Sequence, residues 1–426
     1  MSLLIKHAII VNADKIHTKE QDILLENGVI AKIAPSIDKG SHQIVDAKGK
    51  KVLPGLIDIH VHFRQPGRED KETIETGSKA AVRGGFTTVM CMPNTNPVID
   101  NAPIVHFILN EAKRVGLCNV IPIGAITKGQ TDQELTDMHE LKEAGCLALS
   151  DDGKSVLSSR LMFLATQYAK MVDILLIEHC QDFFLTSGGV MNEGFVSTEL
   201  GLKGDPSIAE SVIVARDIEI AGYLGARVHL AHMSTKRSID LIRFAKKQGI
   251  QVTAEACPHH FTLTDDAVRG FDPSTKMNPP LRGQEDVDAI KEAIKDGTID
   301  CIVTDHAPHT LEDKEAGFDQ APFGIIGLET SLGLTIAELV APGIISLPQM
   351  VDKMSAAPAR IVGLKNKGEI KEGEDADITI IDPDKEWVFS KEDIASKSKN
   401  TPFIGRKLKG TVEYTIFGGK VVYQSK

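Results

Sequence analysis

The chain has 426 residues, 42% hydrophobic and 25% charged, enough apolar mass for a sizeable core and too much for a disordered chain. Acids outnumber bases, 59 to 48, for a formal charge of −11. Such a surface repels nucleic acid and anionic lipid, so neither is an expected partner. No apolar run of about 18 residues suggests a membrane span. The start, Met1 to His7, lacks the regions of a signal peptide. Cys91, Cys118, Cys146, Cys180, Cys257 and Cys301 are scattered with no CxxC pair, which reads as reduced thiols packed in a cytoplasmic protein.

In chain order, residues 3–5 and 8–11 read as short strands, and 23–25 and 29–33 flank Asn27-Gly28, a hairpin signal. From there strand-like and helix-like segments alternate. Short apolar runs fall at 56–62, 87–92, 118–126, 146–150, 174–180, 226–233, 252–257 and 299–304. Helical spacing falls between them, at 72–83, 132–144, 206–224, 235–248 and 285–296. Eight such units predict an α/β fold, a closed (β/α)8 TIM-like barrel over residues 55–364. The end returns to strands: 377–381, then 412–417 and 421–423 around Gly418-Gly419. Residues 1–54 and 365–426 are therefore expected to build one small β-sandwich-like domain from both termini. No GxGxxG follows the first strand and no GxxxxGK[ST] occurs, so a nucleotide cradle is not expected.

Chemistry-bearing residues gather at the strand ends. In the first strand, period two puts Asp58, His60 and His62 on one face and Ile57, Ile59 and Val61 on the other. The polar set is expected to point into the barrel and the apolar set to meet the helices. Two imidazoles one strand step apart can reach a single cation. Later strands end in Ser150-Asp151-Asp152-Gly153, Glu178-His179-Cys180, His229-Leu230-Ala231-His232 and Thr304-Asp305-His306-Ala307-Pro308-His309. A barrel brings these ends to one mouth, where its active sites lie. A His/carboxylate set suits Zn²⁺, with Mn²⁺ or Co²⁺ as alternatives. There are too many ligands for one closed tetrahedron, which favours two metals.

Longer motifs carry a resemblance. Asp58 to Gly67 (DIHVHFRQPG), Met92 to Pro97 (MPNTNP), Met277 to Arg282 (MNPPLR), Thr304 to His309 (TDHAPH) and Ala321 to Gly324 (APFG) together resemble the amidohydrolase superfamily, and within it the barrel-type dihydroorotases of bacteria. The resemblance runs nearly the full length and implies the same barrel with a terminal β-domain. It implies reversible, zinc-dependent cyclisation of N-carbamoyl-L-aspartate to L-dihydroorotate, the third step of de novo pyrimidine synthesis. Carried over by motif, His60, His62 and Asp305 hold one metal and His179 and His232 the other. Asp152 and a hydroxide bridge the two Zn²⁺ ions. Many superfamily members bridge with a carboxylated lysine; here Asp151 and Lys154 stand as alternatives to Asp152. Asp305 is the general base, then acid. Arg64, two residues after His62, is a fork for the substrate carboxylate. His62, Asn94, Asn278, His309, Phe323 and Gly324 complete the substrate contacts.

Residues 310–322 form a polar stretch that reads either as a lid or as a solvated loop. A homodimer and an association with aspartate transcarbamoylase are further implications of the resemblance. Two other readings compete: a hydantoinase or allantoinase, which shares the metal chemistry but usually bridges with a carboxylated lysine and lacks the pairing of Phe63 to Gly67 with Pro93 to Pro97, and an inactive scaffold relative, which typically loses metal ligands that are all filled here.

Overall fold

The computed structural model describes residues 2–425. Eight parallel strands form the barrel: β1 (Leu56–Val61), β2 (Phe86–Cys91), β3 (Asn119–Pro122), β4 (Ala148–Ser150), β5 (Leu175–Glu178), β6 (Val228–Leu230), β7 (Val252–Ala256) and β8 (Cys301–Ile302). They pair as β1–β2–β3 and as β4–β5–β6–β7–β8. Single parallel bridges, Gly124 to Leu149 and Val61 to His306, join the two sets into a ring. All eight predicted strands are present. Ile74–Arg83, Met138–Ala144, Ile208–Leu224, Lys236–Lys247 and Gln284–Asp296 match the predicted helices. Ala102–Val115 and Ser159–Val172 are two further crossover helices, capped by the Asn101 and Ser158 side chains.

The face assignment in β1 differs from expectation. Val61 packs with Phe63, Ile74 and Ala80 against the helices. Ile57 and Ile59 instead join Met90, Ile123, Ala148, Ile177, Ala231, Cys257 and Val303, a cluster with residues on or just past every strand, closed by Ala357, Ala359 and Val362 of the helix Ala357–Val362. The pairing of β1 with β2 is irregular between Asp58 and Val61, as at a bulge. That irregularity lets Ile59 and His60 both serve the inside. Asp58 closes the bend, accepting from His60 N at 3.0 Å and Thr304 N at 3.1 Å.

Strands from both ends of the chain form one eight-stranded sheet. Leu3–Ile10, a single strand with an irregularity between Ile5 and Ala8, pairs with Gln21–Glu26, Gln43–Asp46 and Lys51–Pro54. Ile378–Val388 lies beside Lys51–Pro54 and carries the hairpin of Lys407–Phe417 and Lys420–Gln424. Both expected hairpin turns form. Asn27 and Gly28 have φ of 53° and 82°, and Gly418 and Gly419 have 55° and 76°, the left-handed pair that a tight two-residue hairpin needs. Ile5, Ile23, Val52, Ile378 and Ile416 form this sheet's own core. Only Gly55 separates the Lys51–Pro54 strand from β1, so the sheet fixes where the barrel begins. All six cysteines are free and buried.

Candidate metal centre and substrate pocket

The C-terminal ends of the barrel strands bring His60, His62, Asp152, His179, His232 and Asp305 together, all buried. Asp152 sits at their centre. Its Oδ2 is 3.3 Å from His62 Nε2; its Oδ1 is 3.3 Å from His60 Nε2, 3.3 Å from His179 Nδ1 and 3.4 Å from His232 Nε2. Asp305 Oδ1 lies 3.0 Å from His62 Nε2 and 3.6 Å from His60 Nε2. Ligand atoms of His60, His62 and Asp305, and of His60, Asp152 and His232, lie within 4.8 Å of one another in each group. His232 and Asp305 hold φ of 37° and 48°, a left-handed backbone that costs a side chain about 1–2 kcal/mol. Strain of this kind concentrates where side-chain direction is functional.

The donor set fits divalent metal ions. His60 Nε2 and Asp152 Oδ1 face the centre, are buried, and have no hydrogen-bond partner among the described residues. Buried groups of that kind are rare unless an ion or water serves them. Outside the cradle, the other ring nitrogens of His60, His62 and His179 are held, while His232 Nδ1 has no partner among the described residues. His60 Nδ1 meets Glu255 Oε1 at 2.5 Å, His62 Nδ1 meets Asn94 Oδ1 at 2.9 Å, and His179 Nε2 meets Gln181 Oε1 at 3.2 Å. Such partners fix ligand tautomer and orientation. The electrostatics agree. Burial would raise the Asp152 carboxyl, but the imidazoles of His60, His179 and His232 around it hold it well below its ordinary range. Burial would lower His60, but Asp152 and Glu255 hold it well above the usual imidazole range. A field that favours protons on buried imidazoles favours a divalent cation in the same place.

The other two bridge candidates face away. Asp151 accepts hydrogen bonds from Ile126 N at 2.9 Å, Thr127 N at 3.0 Å and the Thr127 hydroxyl. Lys154 Nζ donates to Gln130 O at 2.9 Å.

Beside the cradle is a pocket of about 290 Å³. Its lining includes His62, Arg64, Asn94, Asn278, His309, Phe323 and Gly324 together with Asp152, His179 and Asp305. Burial lowers the Arg64 guanidinium to about 10, against the pull of Asp305 and Asp152, so it stays cationic at neutral pH. Its Nε donates to Pro308 O at 3.2 Å. Asn278 forms a reciprocal amide pair with Gln181, at 2.7 and 3.0 Å. The Gly324 N–H is taken by Lys276 O at 2.9 Å, and Phe323 O accepts from His309 Nε2 at 2.8 Å. Residues 310–322 are anchored. A helical turn, Leu311–Lys314, is capped by Thr310. Buried Lys314 donates to Pro273 O at 3.0 Å and Pro322 O at 2.8 Å.

Sequence reasoning missed the supporting shell. Glu255 was legible: Val252, Ala254 and Ala256 pack toward the helices, so alternation turns Glu255 inward, as with His62. Asn400 was not. It reaches from the C-terminal segment to accept from His309 N at 3.1 Å and to donate to Ala307 O at 3.0 Å and Gly324 O at 3.1 Å.

The Dihydro-orotase-like family profile matches residues 49–238, and an Amidohydrolase family profile matches residues 221–423. A dihydroorotase of Pelotomaculum thermopropionicum is 53% identical over 426 residues, 100% of this chain and 99% of that one. One of Trichlorobacter lovleyi is 50% identical over 427 residues, 100% of each chain, and one of Endomicrobium trichonymphae is 54% identical over 95% of each. The solved L-hydantoinase (dihydropyrimidinase) of Arthrobacter aurescens superposes with a TM-score of 0.88 at 25% identity, covering 99% of this chain and 96% of that one. The barrel is thus shared across cyclic-amide hydrolases, whereas the full-length identities near 50% carry the family. The chain belongs to the dihydroorotase family of the amidohydrolase superfamily and is a cyclic amidohydrolase of pyrimidine biosynthesis.

Proposed function

We propose that the chain closes N-carbamoyl-L-aspartate to L-dihydroorotate with loss of water, and opens it in reverse, at a centre holding two Zn²⁺ ions. His60, His62 and Asp305 would hold one ion and His179 and His232 the other, with Asp152 shared. The observation that carries this reading is the position of Asp152, which meets His62 through one oxygen and His60, His179 and His232 through the other. When bound, such cations acidify water and polarise the ring carbonyl.

The chain's own groups do the rest. Asp305, at the junction of cradle and pocket, takes a proton from the attacking water in ring opening and gives it to the ring nitrogen that leaves. In closure it takes the carbamoyl nitrogen's proton. Arg64 binds the free carboxylate by charge-assisted hydrogen bonds. Asn94, Asn278 and His309 supply the remaining side-chain contacts to the substrate. Phe323 O has a second lone pair for a ring N–H; the Gly324 N–H is already engaged.

The same reading takes residues 55–364 as the catalytic unit and 1–54 with 365–426 as the terminal domain, supported by the shared sheet. It places the protein in the cytoplasm as a homodimer able to associate with aspartate transcarbamoylase. Among the described residues no helix is long and apolar enough to cross a membrane. Turnover of dihydroorotate against hydantoin and allantoin tests the substrate. The proposal expects dihydroorotate to be preferred by orders of magnitude in kcat/KM, and equal or reversed preference would overturn it.

A further inference from the structure

His309 has its two ring nitrogens in opposite roles. Nε2 lies 2.8 Å from Phe323 O, an acceptor, and 3.4 Å from Arg64 Nη2, a donor; the nearer acceptor, with Lys71 at the other nitrogen, puts the hydrogen on Nε2. Nδ1 lies 2.9 Å from Lys71 Nζ, a donor, so it must be bare. Lys71 is 6% exposed and its Nζ is also 2.8 Å from Asp313 Oδ2, which fixes the ammonium on its far side. Its backbone is fixed too, since Lys71 O accepts from Ser398 Oγ at 2.7 Å. Lys71 is not among the residues lining the pocket, so it touches substrate only through His309.

We infer that Lys71 is a positioning residue that locks His309 as the neutral Nε2–H tautomer, so that its one N–H is shared between Phe323 O and the substrate carboxylate and Nε2 turns a lone pair to neither. In the other tautomer the Nε2 lone pair would face Phe323 O and an anion, repelling both. An ammonium carries only donors, so it excludes that tautomer outright. Protonating His309 at Nδ1 would set two hydrogens against each other. Burial, with Arg64, Lys71 and Lys314 nearby, also keeps the imidazole neutral. Asp313 ties this lock to the 310–322 segment.

The inference rests on the reading of His309 as a substrate contact, and the test separates the two. Selective ¹⁵N-histidine labelling of the metal-loaded protein reports the tautomer, with His309→Gln assigning the signal. Wild type is expected to show a single Nε2–H form. Lys71→Met is expected to lose it, with kcat/KM for dihydroorotate falling about tenfold, chiefly in KM, for a weakened hydrogen bond to a charged group. Lys71→Arg, which keeps a donor, is expected to restore both. An unchanged His309 signal in Lys71→Met overturns the lock, whatever the activity does. A changed signal with unchanged kcat/KM overturns it as a device for the reaction. In that case, full activity in His309→Gln would show that the substrate contact itself was misassigned.

Discussion

The two sides of the barrel mouth are built differently. The metal cradle comes from strand ends: His60 from β1, His179 just past β5, His232 just past β6, Asp305 after β8. Its ligands are positioned by the barrel's own hydrogen bonding, with strain at His232 and Asp305 setting the last angles. The substrate side comes from loops. Arg64 follows β1, Asn94 β2, Asn278 β7, and His309 and Phe323 both follow β8; Asn94 is bonded to His62, Asn278 to Gln181, Arg64 to Pro308 O, and His309 to Phe323 O and the C-terminal Asn400. The cradle should therefore fail through loss of metal, and the loop side through KM and local stability while the metal stays.

The largest effect should come where the two sides meet. Asp305→Asn is expected to lower kcat by about 10²–10⁴-fold, the usual worth of a positioned acid–base group. Activity within a factor of about three of wild type, at normal metal content, would remove Asp305 from that role. Next is the bridge. Asp152→Ala should reduce bound metal to about one ion per chain or fewer, because two close cations repel without an anion between them. Asp151→Ala should keep its metal yet lose about 2–3 kcal/mol of stability, since Ile126 N and Thr127 lose their acceptor. Metal analysis with thermal melts reads both, and the opposite pattern would move the bridge by one residue.

On the loop side, Arg64→Met should cost about 2–4 kcal/mol in kcat/KM for dihydroorotate, and much less for a dihydrouracil-type analogue without the carboxylate. Equal proportional losses would contradict the assignment. Smallest is Asn400→Ala, which frees His309 N, Ala307 O and Gly324 O. It should raise KM several-fold and lower stability by about 1–3 kcal/mol, with metal content unchanged. Loss of metal there would show that the two sides are not separable.

The same division explains what the sequence could reveal. Period-two alternation exposes strand-end ligands, and it would have exposed Glu255 as readily as His62. It failed inside β1, where Ile57 and Ile59 join the inner cluster and the irregularity between Asp58 and Val61 brings His60 round to the same side; a bulge leaves no mark on a hydrophobic pattern. The hairpins were legible because Asn27-Gly28 and Gly418-Gly419 supply the left-handed backbone their turns require. The loop contacts were legible only through whole motifs. The contact of Asn400 with His309 spans 91 positions and obeys no local rule, nor does the pairing of Lys71 with His309 across 238. Asp151 and Asp152 are adjacent and chemically identical, so only geometry separates them.

The central claim is a two-metal centre bridged by an unmodified aspartate. A lysine bridge must first react with CO₂, whereas an aspartate is ionised at neutral pH and needs no modification. Metal-stripped protein titrated with Zn²⁺ in CO₂-depleted buffer, followed by dihydroorotate hydrolysis, tests this most directly. Activity is expected to climb to its full value and level off at two equivalents per chain, with no response to added bicarbonate. A plateau that appears only with bicarbonate, or full activity at one equivalent, would contradict it.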